Sequence, residues 1–159
     1  MITVGASAPP LFGQPVFGRP FQLDRARARG AVVVAFLGPL SASASLDNLA
    51  RLTAIWPRID AEAGGLVGVT RSPLEAARDF VPRHHVLFPV LVDDTGEAFA
   101  AWGVGLAKGM DARLLRAQPK LLRRALSVIR NGQPLPEAHD NQLPAAFVVG
   151  ADGRVRWAW

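Results

Sequence analysis

Gly30–Ala50, GAVVVAFLGPLSASASLDNLA, is the stretch on which the fold turns. Its first part, Ala31–Leu37, is an apolar run without period-two alternation. Such a run reads as a strand covered on both faces, as found in the middle of a parallel or mixed sheet. Gly38-Pro39 breaks it, Leu40 and a Ser/Ala segment follow, and an amphipathic pattern begins at about Ser45. Leu46, Leu49, Leu52 or Thr53, Trp56 and Ile59 fall roughly on one side of that helix. Ser43 or Ser45 is the expected N-cap, and Asp47 suits the positive end of the helix. Pro57 is expected to kink or end it near Trp56. A strand, a tight connection and a helix N-terminus form a common place for chemistry in α/β proteins. The side chains there, Ser41, Ala42, Ser43, Ala44 and Ser45, include no nucleophile with a recognisable partner.

Upstream, Met1–Arg29 is rich in Pro, Gly and Arg, which leaves little room for regular structure. Phe21-Gln22-Leu23 could form a short edge strand, and Leu11, Phe17 and Phe21 are the expected apolar anchors. Downstream, Gly64-Gly65 reads as a turn and Leu66–Thr70 as a second strand. Ser72 as N-cap, Pro73 at the first helical position and Glu75 at the third then predict a helix to about Phe80, stopped by Pro82. Phe88–Val92 is a third strand, Asp93–Gly96 a turn and Glu97–Trp102 a short helix. Residues 105–143 form a basic helical insertion and a polar, proline-containing loop. Pro144–Val149 and Arg154–Trp159 read as two strands joined by a hairpin turn at Gly150–Gly153. The aromatic end of the last strand calls for cover, from a following helix or from another chain.

The order β-α-β-α-β-α, an insertion and a hairpin suggests a thioredoxin-like α/β fold, with a central mixed sheet flanked by helices, in a single domain over residues 1–159. With 159 residues, half of them hydrophobic, the chain can build a real core. It contains no cysteine, which excludes disulfides, thiolate nucleophiles and Cys-ligated metals. No secretory signal opens it, and its apolar runs fall short of the roughly 18–20 residues that span a bilayer. The expectation is a cytoplasmic protein, although cysteine content alone suits any compartment.

The net charge of +5 is local in origin. Lys108, Arg113, Arg116, Lys120, Arg123, Arg124 and Arg130 stand against a single acid, Asp111, so the rest of the chain is nearly neutral. Arg113, Arg116, Lys120, Arg123, Arg124 and Arg130 form a candidate interaction face. It could be a solvated face, a surface for a protein partner or a homodimer, or a site for anionic lipid. Nucleic acid is disfavoured, because no aromatic residue lies among these charges to stack on bases.

Several pieces of the chain, in this order, resemble the alkyl hydroperoxide reductase and thiol-specific antioxidant family, the peroxiredoxins. Val4-Gly5 to Ala8-Pro9 is similar to its opening G-x-x-A-P, and Val32–Phe36 to its central strand. Gly65–Thr70 with Ser72-Pro73 resembles its second strand and helix start. Phe88–Glu97 and Ala101–Val104 resemble F-P-L-L-x-D-x-x-G-E and A-Y-G-V. Phe147–Val155 resembles F-V-I-D-x-D-G-x-I. The resemblance implies a peroxiredoxin-type fold with an active-site loop of Pro39, Ser41, Ala42, Ser43 and Ser45, facing Pro144 in the place of the thioredoxin cis-proline. One register puts the two cysteines of the C-x-x-C branch at Ala42 and Ser45. Another places Pro39 and Ser43 on the family's Pro and Thr, and its cysteine on Leu46. Neither register contains a thiol, and Leu143–Phe147 lacks the arginine that typical members use to aid the thiolate.

Peroxide reduction of this type needs a sulfur that cycles through sulfenic acid, which serine cannot do. A serine hydrolase would need an oriented base, and His84, His85 and His139 lie in no recognisable arrangement. No zinc or facial-triad spacing is present, so no metal and no cofactor is expected. Two readings stay open. The favoured one is a redox-inactive relative that binds a partner or small ligand in the hollow beside Pro144. The other is a thiol-dependent peroxidase or disulfide oxidoreductase whose cysteines have been replaced in this molecule. Either way, no thiol peroxidase activity is expected of this sequence.

Overall fold

The computed structural model describes residues 2–105 and 144–159. Its elements are β1 (Phe12–Gly13), β2 (Phe21–Gln22), α1 (Leu23–Arg27), β3 (Val32–Phe36), α2 (Ser43–Ala61), β4 (Gly65–Thr70), α3 (Leu74–Arg83), β5 (Val90–Val92), α4 (Glu97–Ala101), β6 (Ala145–Val149) and β7 (Val155–Ala158). The expected basic insertion, 105–143, lies almost wholly outside the described residues, with the candidate face from Arg113 to Arg130.

Five strands form one mixed sheet in the order β5-β4-β3-β6-β7. The strands β3, β4 and β5 are parallel, while β6 runs antiparallel to β3, and β7 to β6. The non-alternating run is indeed central, with Val34 between Val67 of β4 and Phe147 of β6. Its side chains divide between two cores. Val32, Val34 and Phe36 join Phe99, Trp102 and Phe147 on one face; Ala35 and Leu37 join Leu49, Leu66 and Phe88 on the other. In the first core the Phe36 ring lies 4.8 Å from Phe99 and 5.9 Å from Phe147, both edge-on, an arrangement that suits the ring quadrupoles.

Local details depart from the expectations above. Helix α2 does not end at Pro57 but continues to Ala61. Pro57 forfeits one backbone bond, yet Trp56 and Ile59 on either side of it pack against the second core, and that burial carries the helix through. Neither Ser43 nor Ser45 caps α2: Ala42 is the N-cap and makes no side-chain bond. Its carbonyl accepts from the backbone N–H groups of Ser45 (3.0 Å) and Leu46 (3.2 Å). Likewise α3 starts one residue late, with Pro73 as N-cap, and includes Pro82. Ser72 therefore lies one residue before the cap, and its hydroxyl accepts from the Leu40 amide, 2.9 Å away.

The third strand is only Val90–Val92, since Pro89 cannot donate to a ladder. Phe21-Gln22 pairs with Phe12-Gly13 in a separate two-stranded sheet rather than edging the main one. Leu23 instead opens α1, and the N-terminal segment pairs with Val155 of β7 through Gly5 and Ala6 and with Gly153 of the hairpin turn through Ala8.

Candidate functional site

Residues 38–42 link the carboxyl end of β3 to α2. This loop is held by two hydroxyls on the neighbouring β4–α3 connection. Thr70 Oγ1 donates to the Gly38 carbonyl at 3.3 Å and accepts from the Ser72 amide at 3.1 Å. Ser72 Oγ in turn accepts from Leu40 N–H. Thr70 is fully buried, Ser72 is 8% exposed and Leu40 3%, so these bonds are shielded from water. The turn is closed by Ala42 N–H donating to Pro39 O at 2.9 Å. The clamp needs a Thr-x-Ser pair at the end of the second strand, and the only signal for it in the sequence is that the pair is polar after an apolar strand.

The sequence-predicted site residues come together in part. Ala145 lies opposite Phe36, so Pro144 reaches the same end of the sheet as Leu37 and the loop. Pro39 and Ala42 are half-buried, Ser41 is exposed and Ser45 is 3% exposed. The peptide bond before Pro144 begins at residue 143, outside the described residues. Helix α3 starts at this end of the sheet and runs back, which carries His84 and His85 to the opposite end. There His84 stacks on Phe80, with ring centroids 4.1 Å apart. His139 lies outside the described residues. Asp93 is occupied structurally: its Oδ2 accepts from the Phe99 amide of α4 at 3.0 Å. Among the described residues no group of three or more His, Asp or Glu could hold a metal ion. The chain has no cysteine thiol, and among the described residues no hydrogen bond joins a histidine or carboxylate to Ser41 or Ser45, so the described loop offers a shaped surface.

A hollow of about 320 Å³ opens between α2 and the β6–β7 hairpin; of the sequence-predicted site residues Pro144 lines it, while Pro39, Ser41, Ala42 and Ser45 do not. Leu37, Pro144 and Ala146 lie at its sheet side; Asn48, Arg51, Leu52 and Ile55 border it from α2; Trp157 and Trp159 border it from the end of the chain. Spacings of three, four and seven residues put the four α2 side chains on one flank of the helix. Trp157 and Trp159 project to one face by strand alternation. Residues of α2 and α3 pack against β3, β4 and β5 on this face. Across β6 and β7 the same face lacks a helix among the described residues, and Ile55, Trp157 and Trp159 are 42%, 48% and 61% exposed. Sequence reasoning singled out the aromatic end of the last strand as a surface that calls for cover. It missed the α2 flank, because Asn48, Arg51 and Ile55 mix polar and apolar types and read as an outer face.

Solved structures with the same architecture are numerous. Peroxidoxin BcpB from Mycobacterium tuberculosis superposes with a TM-score of 0.72 at 16% identity, covering 100% of this chain and 86% of that one. A mutant form of Xanthomonas campestris Peroxiredoxin Q superposes with a TM-score of 0.70 at 20% identity, covering 99% of this chain and 87% of that one. A putative protein disulfide isomerase from Bacteroides thetaiotaomicron gives a TM-score of 0.68 at 15% identity, with coverages of 100% and 79%. At such identities the likeness establishes the thioredoxin-type fold and nothing about activity. No curated protein matches the chain. Among the described residues no helix is long and apolar enough to cross a membrane. The pattern of the AhpC/TSA family, however, runs through residues 4–158, almost the entire length, and the chain belongs to that family.

Proposed function

We propose that this protein is a redox-inactive AhpC/TSA-family member that works as a binding module, with the hollow beside Pro144 as its site. On this reading Pro39, Ser41, Ala42, Ser43 and Ser45 are the vestige of the family's active-site loop. The observation that carries the proposal is a well-formed family scaffold in a chain without any cysteine. The clamped loop, and a hollow lined by Leu37 and Pro144, support retention of a shaped surface after loss of the reacting thiol. The test is peroxide consumption by the metal-free protein with a dithiol reductant. Turnover should not exceed the reductant-only control, and any excess that scales with protein concentration refutes the proposal.

The replaced-cysteine reading draws support from the residues themselves, since Ala and Ser are the smallest changes from Cys and both Ala42 and Ser45 sit at the loop–helix junction. Intact mass and peptide mapping of Gly38–Arg51 from the native source decide between the two. Cysteine at 42 or 45 would establish a thiol enzyme; alanine and serine would leave the binding module. For the basic face from Arg113 to Arg130 we propose association with an acidic protein surface or within a homodimer. Such binding weakens between low and high salt, and salt-independent association would refute it.

A further inference from the structure

We infer that the segment from Gly5 to Val16 is a strap that holds both edges of the five-stranded sheet and keeps them from pairing with a second copy of this chain. The outer strands of the sheet are β5 and β7. An outer strand offers unpaired N–H and C=O groups, a template for strand addition from another molecule. Here one segment occupies both. At β7, Gly5 N–H donates to Val155 O at 2.8 Å and Val155 N–H donates to Ala6 O at 2.9 Å. Ala8 N–H donates to Gly153 O in the adjoining turn, also at 2.9 Å. At β5, Val16 N–H donates to Val90 O at 2.8 Å, and Pro15 bridges Leu91.

The two edges lie four strand spacings apart, about 19 Å at roughly 4.8 Å each. The chain from Ala6 to Val16 reaches about 33–36 Å when extended, enough to cross the sheet and dip into it on the way. Leu11 is the point where it dips: its side chain is buried in the first core, and its carbonyl accepts from Leu23 N–H at 2.9 Å. Pro9, Pro10 and Pro15 have no N–H, so the strap is itself a poor template for a further strand. Being part of the same chain, it competes for the edges at an effective concentration on the order of millimolar. A second copy at micromolar concentration meets edges already filled.

The test compares the full-length native chain with the double variant Gly5→Val, Ala8→Pro. Gly5 has φ +91° and open space around it, so valine strains the backbone without a clash. Proline at position 8 removes the donor to Gly153. Gly18→Val is the control, with φ +97° and open space too, but beyond the last strap contact. Sedimentation velocity is run in high salt, which suppresses association through the basic face. The double variant should form dimers or larger species at concentrations where the native chain and Gly18→Val show no such gain. A peptide spanning Ile2–Leu11, added in excess, should reverse the gain. Exchange of the Val16 amide, on the far edge, should quicken about tenfold, the scale of a lost backbone hydrogen bond. No gain in mass, or a gain that the peptide does not reverse, overturns the guarding role. Unaltered Val16 exchange shows that the edges are held separately and overturns the strap. Should the double variant not fold, Ala8→Pro alone takes its place, and the native chain supplies a further check. Amides that open together as one strap, Ala8 and Val16, have protection within about threefold of each other, and a wider gap overturns the inference.

Discussion

Replacing Ser72 by alanine isolates the contribution of the hydroxyl clamp to the loop. The substitution removes one oxygen, creates almost no cavity and leaves the Leu40 N–H without its acceptor, which lies at 2.9 Å in the native chain. Leu40 is 3% exposed and Ser72 8%, so water reaches the orphaned donor poorly. An unsatisfied buried donor costs about 1–3 kcal/mol. For a domain of this size that is a loss of roughly 2–4 °C in Tm per kcal/mol. The amide of Leu40 itself gives a local measure. If the loop opens about 2 kcal/mol more easily, its hydrogen-exchange protection falls about 30-fold. Amides of the central strand, such as Val34, exchange by global unfolding and follow only the overall stability. Urea unfolding and amide exchange of Ser72→Ala therefore give two readings of one bond. An unfolding free energy within about 0.5 kcal/mol of the native chain, with unaltered Leu40 exchange, would show that Ser72 does not hold the loop. Combining Ser72→Ala with Thr70→Val should cost less than the two separately, because both hydroxyls restrain the same segment.

Phe147→Ala should destabilise the chain by about 3–5 kcal/mol in urea unfolding, since this fully buried ring packs on Phe36 and, at 5.0 Å, on Trp102. A loss below about 1 kcal/mol would contradict the packing described. Gly96→Ala places a side chain at φ +77°, with its Cβ 3.2 Å from Arg71 Cζ, and should cost about 1–3 kcal/mol by thermal unfolding. A neutral outcome would mean that the turn before α4 adopts another conformation. Ala42→Cys puts a half-buried thiol at the N-cap of the 19-residue α2. The positive end of the helix favours thiolate, so ultraviolet titration should give a pKa below about 8.5. A midpoint at or above that value would show that burial outweighs the helix end.

The layout of the fold was legible in the chain because its signals are local. An unalternating apolar run marks a doubly covered strand wherever it occurs, and Ala31–Leu37 proved to be the centre of the sheet, from Val32 to Phe36. The hairpin of β6 and β7 was equally plain from two strand patterns around Ala151-Asp152-Gly153. Absence of cysteine likewise settled, without any coordinates, that thiol chemistry is not available to this molecule. What the sequence could not decide were choices between competing partners for one group. Ser72 carries a cap signal, but α3 begins one residue later with Pro73 as its N-cap, and the Ser72 hydroxyl accepts instead from the buried Leu40 amide of a distant loop. Pro57 carries a stop signal, but packing of Trp56 and Ile59 outweighs one lost backbone bond. The hollow beside Pro144 is more remote still, since its walls come from a helix near residue 50 and a strand near residue 157. Only tertiary structure brings those walls together, because a site enclosed by distant segments has no period or spacing along the chain to announce it.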